Sequence, residues 1–409
     1  MKVLVVNCGS SSLKFQLIET SIEDMENETE KHLAEGIVEK IGMAQSLVRY
    51  SNHRGDTVRE TPMVLEHSVA VEILLNHLTH PDHGIIRSVG DIEAVGHRVV
   101  HGGERFSASA VITPDVLGEI RACVDLAPLH NPPNILGYEE ASRRLRNVPH
   151  VAVFDTAFHQ TMPDYAYMYA LPYSLYENRR IRRYGFHGAS HRYLRYRLAK
   201  LNGLSREELN IITIHLGNGC SMAAIKEGKS IDTSMGMTPL EGLVMGTRAG
   251  DIDPAIILYL MQEEDIDLDQ ANSLLNKHSG LRGISGISND MREIEKTMRD
   301  GNDRARLAVD VFSYRIRKYI GAYAAALGRV DHIAFTAGIG ENSVCVRKKC
   351  CEGLGIIGVE FDDQRNQDRN GKEGLISTDE SKVKVWIIPT NEELVIARDT
   401  MRCVLGIKY

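Results

Sequence analysis

A strand that runs directly into a short turn of small and hydroxyl residues opens this chain and constrains its fold more than any other segment. Val3–Val6 is apolar, Leu13–Ile18 alternates apolar and polar side chains, and the residues between them are small or polar. The pattern predicts a β-hairpin with Ser10 and Ser12 at its tip and Lys14 just beyond. Backbone N–H groups, hydroxyls and a lysine can donate to phosphate oxygens there. This segment alone leaves a polar hairpin tip without a ligand as the alternative.

The same strand–turn–strand pattern recurs in the second half of the chain. It covers Ile211–Ile225 and has its turn at His215–Gly219. Two such hairpins predict a duplicated α/β unit, with the two tips facing each other across a cleft and holding a polyphosphate. A third strand, Ile333–Thr336, leads into a predicted glycine turn at Gly338–Asn342, where missing side chains would let a base or ribose lie against the backbone.

Two further segments carry local predictions. Residues 20–65 are polar and rich in charge, and we expect a hairpin and loops there. One apolar stripe predicts a long helix that ends at Gly328; it is formed by Ala308, Phe312, Ile316, Ile320, Tyr323 and Leu327.

Length and composition bound the class of protein. With 409 residues, 43% of them hydrophobic, the chain is long enough for two domains. A net charge of -7 argues against nucleic acid or an anionic membrane as the main partner. No run of 18 apolar residues and no secretory h-region occurs, so we expect a cytoplasmic protein. The 7 cysteines contain no CxxC pair, which favours reduced thiols over disulfides or a zinc site.

Four charged or imidazole side chains stand in settings that favour chemistry. Arg98 is expected just after an apolar strand and is flanked by glycines, and Arg248 lies in a long irregular segment, residues 233–251. His187 lies between glycines beside an aromatic residue, and Asp155 follows a buried-type strand, where ligands of open α/β sheets bind. A surface arginine and a structural histidine are the plainer alternatives. Together with the phosphate hairpins, these residues favour phosphoryl transfer over hydrolysis by a serine or metal triad.

Several longer motifs resemble the acetate kinase family, within the sugar-kinase, actin and heat-shock chaperone superfamily. They are NxGSSSxK, GHRVVHGGE, APLHNPPN, FDTAFHQTMP, YGFHGxSH, HLGNGxS, DTSMGxTPLEGLxMGTR, GIGENS and PTNEE. The resemblance implies ATP:acetate phosphotransferase activity with Mg²⁺, for which Mn²⁺ can substitute, and a homodimer. It implies an α/β fold of two duplicated ribonuclease-H-like (actin-like ATPase) domains with a cleft between them. The expected lobes are residues 1–155 plus 392–409, including the C-terminal helix, and residues 156–391, with hinges near 155 and 390.

The resemblance also implies roles for individual residues. Arg98 and Arg248 would contact the acyl carboxylate and the phosphoryl group, His187 would be the transition-state imidazole and Asp155 the essential acidic residue. The implied magnesium pair is Asn7 and Glu392, and the implied lining of the methyl pocket is Val100, Leu129, Phe186 and Pro239. The implied nucleotide contacts are Ser10, Ser12, Lys14, His215, Leu216, Gly217, Asn218, Gly219, Asp290, Met291, Arg292, Gly338, Ile339, Gly340, Glu341 and Asn342.

Elementary chemistry refines two of these roles. A carboxylate acceptor is already ionised at neutral pH and needs no general base, so we expect Asp155 to orient a metal, a water or an arginine. Thr390 and Glu393 can form a capping box at a helix start, which assigns capping to Glu393 and the metal to Glu392.

Three alternatives stay open at this point. The first is a kinase for propionate or another short-chain fatty acid. The resemblance favours acetate, because Val100 would cap the methyl pocket and relatives tuned to propionate tend to carry a smaller residue there. A nucleotide-gated ATPase of the actin or chaperone type is the second. Cys8 and Cys220, in the two phosphate turns, are either tolerated small residues or reactive thiols that ATP would protect.

Overall fold

The computed structural model describes residues 1–407. Its internal contacts divide the chain into a first unit, Met1–Gln160 with the segment from Asn391 onwards, and a second unit, Thr161–Thr390. The predicted boundaries at 155 and 392 stay a prediction, and positions 408 and 409 of the predicted first lobe lie outside the described residues. Within residues 1–407, no helix is both long and apolar enough to cross a membrane.

The first unit contains one eight-stranded sheet in the order β5-β4-β3-β2-β1-β6-β8-β7. Strands β1, β6 and β8 are parallel to one another, and the remaining pairs are antiparallel. The strands are β1 Lys2–Cys8, β2 Ser12–Glu19, β3 Lys31–Glu39, β4 Leu47–Asn52, β5 Thr57–Glu60, β6 Ala94–Val99, β7 Ala110–Val111 and β8 His150–Phe154.

Helices cover both faces of this sheet because the strands alternate their side chains between two apolar layers. Leu4 and Val6 join the core under α2, whereas Val3 and Val5 pack against Ile396 of the C-terminal helix. The helices are α1 Ile22–Asn27, α2 His67–Leu78, α3 Pro114–Ala122, α4 Asn131–Arg144 and the C-terminal helix Glu392–Leu405.

The second unit contains a six-stranded sheet in the order β11-β10-β9-β12-β14-β13. Its strands are β9 Asn210–Leu216, β10 Cys220–Lys226, β11 Lys229–Thr233, β12 His332–Thr336, β13 Gly374–Leu375 and β14 Lys384–Ile387. Its helices are α5 Asp164–Tyr167, α6 Tyr173–Arg179, α7 Gly188–Asn202, α8 Ala255–Glu263, α9 Leu268–Lys277, α10 Gly280–Ser285, α11 Met291–Arg299, α12 Asp303–Leu327, α13 Ala337–Asn342, α14 Val344–Cys351 and α15 Asp363–Asp368.

The two sheets repeat one topology. The order β3-β2-β1-β6-β8 in the first unit matches β11-β10-β9-β12-β14 in the second, with an antiparallel meander followed by two parallel strands. The repeat confirms the duplicated α/β unit that the two hairpins predict, and it confirms the ribonuclease-H-like fold class that the resemblance implies. The predicted stripe of the longest helix is confirmed as well, since Phe312, Ile316 and Ile320 are fully buried and Gly328 ends α12.

Two local predictions are wrong. Residues 20–65, expected to be a hairpin and loops, form α1 and the three strands β3 to β5. The expected glycine turn after Thr336 is the short helix α13, whose first residue, Ala337, has φ +64°. Glycine content suggested a turn there, but Glu341 accepts a hydrogen bond from the Ala337 N–H at 2.7 Å and stabilises the helix start.

Candidate active site

Three predicted residues meet at one edge of the first sheet. β1, β6 and β8 are parallel and in register, with Val6 opposite His97 and Val99 opposite Phe154. Their carboxyl ends therefore bring Asn7, Arg98 and Asp155 to the same edge. Arg98 lies inside β6, one residue before its end, and not after the strand as the sequence suggested.

Asp155 holds Arg98 in a bidentate ion pair. Nε and Nη2 of Arg98 donate to the two carboxylate oxygens at 3.0 and 2.7 Å, and Asp155 is only 2% exposed. Burial acts to lower the pKa of Arg98, but the Asp155 carboxylate outweighs it and the pKa rises. Two of the five guanidinium N–H groups serve this pair, which leaves three for other acceptors. The pair fits the expectation that Asp155 orients an arginine.

Glu392 is the first residue of the C-terminal helix. The helix cap is Asn391, whose side chain accepts from the Leu394 N–H at 2.9 Å, so the predicted capping box of Thr390 and Glu393 is wrong. Burial raises the pKa of Glu392 to about 7, Arg98 opposes the rise and Asp155 adds to it. Glu392 therefore lies in the field of the Arg98 pair.

The donor set at this edge suits magnesium. Among residues 1–407, no group of three or more His, Cys, Asp and Glu side chains is arranged to hold a metal ion. Mg²⁺ does not require one, since it takes one or two protein oxygen ligands and fills its shell with water and substrate phosphates. The amide oxygen of Asn7 and the carboxylate of Glu392 are oxygen donors of that type.

The first hairpin forms as predicted. The Gly9 N–H donates to the Ser12 carbonyl at 2.8 Å and closes the tip, where Ser10 and the Lys14 side chain are exposed. Cys8 at the strand end is buried, and burial raises its pKa to about 12. Cys220 is also buried, with its pKa raised to about 12 by burial. Buried thiols with a raised pKa are poor nucleophiles. The structure therefore favours the first alternative for Cys8 and Cys220, that they are tolerated small residues, over reactive thiols.

The tip of the second hairpin brings Arg248 and His187 together. The Gly217 N–H donates to the Gly219 carbonyl at 3.0 Å. A Cβ atom placed on Gly219 would lie 2.7 Å from Nη2 of Arg248 and 3.4 Å from Nε2 of His187. Glycine at this position therefore lets a cation and an imidazole approach the backbone of the predicted phosphate turn.

Local backbone geometry fixes His187. It precedes α7 with φ +55°, and its ring stacks on His215 at a centroid distance of 4.2 Å. Nδ1 of His187 lies 2.8 Å from Oγ of Ser221, and Nδ1 of His215 lies 2.8 Å from Oγ of Ser190. Hydroxyl partners thus hold both imidazoles.

The segment that carries Arg248 is held by residues that sequence reasoning missed. Residues 234–251 form no helix or strand, as expected, and Nη1 of Arg248 donates to the Pro239 carbonyl at 2.5 Å. Glu241 anchors this segment by accepting from Arg183 at 2.6 Å and from the Tyr169 hydroxyl. The TPLEG motif contained the glutamate, but nothing in the sequence paired it with Arg183.

The predicted adenosine contacts are placed unevenly. Asp290 caps α11 and pairs with Arg292 at 2.6 Å, while the Met291 side chain is 3% exposed and belongs to the core. Gly338, Ile339, Gly340, Glu341 and Asn342 all lie in α13. Arg347, which sequence reasoning missed, is fully buried and donates to the Gly340 carbonyl at 2.9 Å.

The predicted methyl-pocket residues differ in exposure. Val100 is 6% and Phe186 1% exposed, as expected of apolar pocket walls, and Pro239 is partly buried. Leu129 is 49% exposed, and this agrees poorly with a buried lining position. The pocket as a whole stays a prediction.

Fold and site define the class: a duplicated ribonuclease-H-like protein with a hairpin in each unit, a paired arginine at the strand ends of the first sheet and a second arginine beside the hairpin turn of the second. The sequence profile described as the Acetokinase family matches residues 2–398. The acetate kinase of Caldicellulosiruptor saccharolyticus is 54% identical over 403 residues, covering 98% of this chain and 99% of that protein. The chain belongs to the acetokinase family.

Solved structures agree. The crystal structure of Porphyromonas gingivalis acetate kinase matches with a TM-score of 0.92 and 48% identity, covering 98% of this chain and 99% of that one. A propionate kinase from Francisella tularensis subsp. tularensis SCHU S4 matches with a TM-score of 0.90 and 41% identity, with the same coverage.

Proposed function

We propose that this chain is an ATP:acetate phosphotransferase that transfers the γ-phosphoryl group of ATP directly and reversibly to acetate, giving acetyl phosphate and ADP. The observation that carries the proposal is the Arg98–Asp155 pair, in which a buried carboxylate holds a guanidinium at the carboxyl edge of the sheet at 2.7 and 3.0 Å. A fixed guanidinium suits planar recognition of a carboxylate or a phosphoryl group. Relatives named acetate kinase support the choice of acceptor.

The proposed reaction depends on charge control. A carboxylate oxygen of acetate attacks the γ-phosphorus, the bond from the γ-phosphorus to the β,γ-bridging oxygen breaks, and ADP leaves with that oxygen. No proton has to be removed from the acceptor, because acetate is already ionised at neutral pH. Arg98 holds the acceptor carboxylate, and Arg248 with His187 donates to the phosphoryl oxygens. The turn His215–Gly219 binds the nucleotide phosphates. Helix α13, together with Asp290 and Arg292, contacts the adenosine.

Mg²⁺ belongs to this proposal, with Mn²⁺ as a substitute. Asn7 and Glu392 would hold the ion, which supplies charge neutralisation to the phosphate oxygens when bound. The Glu392 carboxylate is buried, and the charges of Arg98 and Lys14 favour its ionised form while the Asp155 carboxylate opposes it. A divalent cation beside it would favour the ionised form further.

A propionate or short-chain fatty acid kinase is the second candidate, which the similarity to the Francisella propionate kinase favours. A single methylene in an apolar pocket changes selectivity by only about 1–3 kcal/mol. We therefore expect acetate to be preferred and propionate to be turned over more slowly. Measuring kcat/KM with acetate, propionate and butyrate as acceptors decides between the two candidates. A higher kcat/KM for propionate or butyrate than for acetate would select the second.

We further propose a cytoplasmic homodimer. Helix α8 is strongly apolar in sequence, yet none of its residues is buried, and Leu258 and Tyr259 are 70% and 63% exposed. An exposed apolar helix face of this kind favours a protein–protein interface. The family resemblance implies that the partner is a second copy of this chain. Light scattering should show a dimer, and Leu258→Glu should dissociate it. Val69→Glu is the control: it places the same charge at an exposed position of α2 and should leave the dimer intact.

Hydroxylamine trapping tests the central proposal. The protein with ATP and Mg²⁺ should form acyl hydroxamate only when acetate is present, and Arg98→Ala should slow its formation about 10³-fold or more. ADP release that does not depend on acetate would point to a nucleotide-gated ATPase and would contradict the proposal.

A further inference from the structure

The end of the GHRVVHGGE motif and the APLHNPPN motif meet at the carboxyl end of β6. The strand ends at Val99, and residues 100–103 continue outside the sheet. A buried backbone N–H group that leaves a strand needs another acceptor. In this segment the N–H groups of four consecutive residues each donate to a side chain, and all four hydrogen bonds are buried. Side chains therefore replace a neighbouring strand there.

The acceptors come from helix α4, from the residue after Asp155 and from the segment itself. They lie 2.9 to 3.1 Å from the backbone nitrogens and are Oδ1 of Asn134 for Val100, Oδ1 of Asn131 for His101, Oγ1 of Thr156 for Gly102 and Nδ1 of His101 for Gly103. A Cβ atom placed on Gly102 would lie 2.7 Å from the ring of Phe154, so the segment also packs tightly on the end of β8.

Helix α4 presents both asparagines on one face. Asn131 and Asn134 are three residues apart, which places their side chains on the same side of a helix. The two prolines between them suit the first turn of a helix, where backbone N–H groups have no partner in the helix. Gly137 lies against the end of β1, since an added Cβ atom would be 2.5 Å from the Cβ of Cys8. Helix α4 therefore packs directly on β1 and β6.

The Asn134 amide joins the ends of these two strands. Its Oδ1 accepts from the Val100 N–H at 2.9 Å, and its Nδ2 donates to the Cys8 carbonyl at 2.7 Å. The backbone partners fix this orientation, because an N–H group only donates and a carbonyl only accepts. Cys8 precedes the tip of the first hairpin, and Val100 is a predicted wall of the methyl pocket. One amide thus ties the acceptor side of the proposed site to its phosphate side.

We propose that Asn134 is a positioning residue that sets acceptor selectivity, and that Asn131 and Thr156 support it at the next two positions of the segment. A wall residue excludes an extra methylene only if its backbone is held in place by the groups behind it. Val100 lies beyond the end of β6, and its N–H is held by Asn134, which is 5% exposed. The inference rests on the proposed function and adds to it the residues that hold the pocket wall.

Asn134→Ala releases both backbone groups, and acceptor selectivity reports the result. The ratio of kcat/KM for propionate to kcat/KM for acetate should rise about three- to tenfold, because the Val100 wall then gives way to the extra methylene. A loss of stability alone would lower kcat/KM for both acceptors alike and leave this ratio unchanged. If Asn134 acts through Val100, Asn134→Ala combined with Val100→Ala should give no higher ratio than Val100→Ala alone.

Hydrogen exchange tests the contact without any substrate. Mass spectrometry of peptides that contain residues 100–103 should show slow amide exchange in the wild type, although this segment lies outside the strands. Asn134→Ala should speed exchange in these peptides about tenfold or more, because the Val100 N–H loses its acceptor.

Asn52→Ala is the matched control. Asn52 is a buried asparagine of the same unit, on β4 toward the other edge of the sheet. Its Nδ2 donates to the His83 carbonyl at 2.8 Å and its Oδ1 accepts from the Arg54 N–H at 2.9 Å, so the substitution also removes bonds to a backbone donor and a backbone acceptor. It should leave the acceptor ratio and the exchange of residues 100–103 unchanged.

The outcomes separate the inference from the proposed function. If Asn134→Ala does not fold, Thr156→Val keeps the side-chain shape, removes the acceptor for Gly102 and should raise the ratio in the same direction. An unchanged ratio or unchanged exchange in a folded variant, or effects that multiply with those of Val100→Ala, would overturn the inference. A wild type that forms no acyl hydroxamate from either acid would end the proposed function, whereas the exchange data would still decide whether Asn134 holds the segment.

Discussion

Asp155→Asn is the most informative single substitution in the first unit. The asparagine keeps one acceptor oxygen for Arg98 but turns an N–H group toward the second guanidinium N–H. One charge-assisted hydrogen bond of the 2.7 and 3.0 Å pair is lost. Such a bond is worth about 1.5–3 kcal/mol, so kcat/KM for acetate should fall about 10- to 150-fold if the whole loss appears in the transition state. Arg98→Ala should cost more, about 10³-fold or greater.

A double-mutant cycle tells an orienting role from an independent one. If Asp155 acts through Arg98, then Asp155→Asn combined with Arg98→Ala should be no slower than Arg98→Ala alone. If Asp155 were a general base or a metal ligand in its own right, the two losses would multiply. Hydroxamate formation at saturating Mg²⁺ measures each rate, and circular dichroism confirms that each variant is folded. Near-native turnover of Asp155→Asn, or additive effects in the cycle, would refute the orienting role.

Three further predictions concern metal, substrate and acid stability. Glu392→Gln should raise the Mg²⁺ concentration for half-maximal activity about tenfold or more, whereas Glu393→Gln should shift it less than about twofold; equal small shifts would remove Glu392 from the metal site. Val100→Ala should raise kcat/KM for propionate relative to acetate about tenfold, and an unchanged ratio would place Val100 outside the pocket. Burial lowers the pKa of His97 and of His150, so their contribution to stability is present above about pH 6.5 and is lost as the pH falls below it. Urea unfolding of His97→Gln at pH 7.5 and 5 should show a smaller acid loss than the wild type, and an equal loss would contradict this.

Strand patterning and turn chemistry carried most of the fold prediction. Alternation and apolar runs identified both hairpins, the strand before Asp155 and the stripe of α12, since each depends on local sequence alone. The errors lie where tertiary pairing decides. The polar residues 20–65 become strands because β2 offers an edge for pairing, and α13 forms because Glu341 caps it from four residues away.

The site was predictable in its residue types more than in its partners. Arg98, His187 and Arg248 stood out because glycines flank them or the segment around them has no regular period. Their supports did not, because Arg183 and Glu241 are 58 positions apart in the sequence and Ser221 reads as an ordinary strand residue. Such pairs depend on the sheet order and on the loop path, which single-sequence patterns do not contain.

The two units place different groups beside their arginines. In the first, the Asp155 carboxylate pairs with Arg98 at 2.7 and 3.0 Å, at the carboxyl ends of two parallel strands. In the second, Arg248 donates to the Pro239 carbonyl, and Nδ1 of His187 lies 2.8 Å from a serine hydroxyl beside the turn of the second hairpin. A carboxylate compensates the charge of a guanidinium and attracts a divalent cation, whereas carbonyl and hydroxyl groups carry no full charge. Under the proposed function, this difference assigns the metal and the acyl group to the first unit and the phosphoryl group to the second, although both units share one sheet topology.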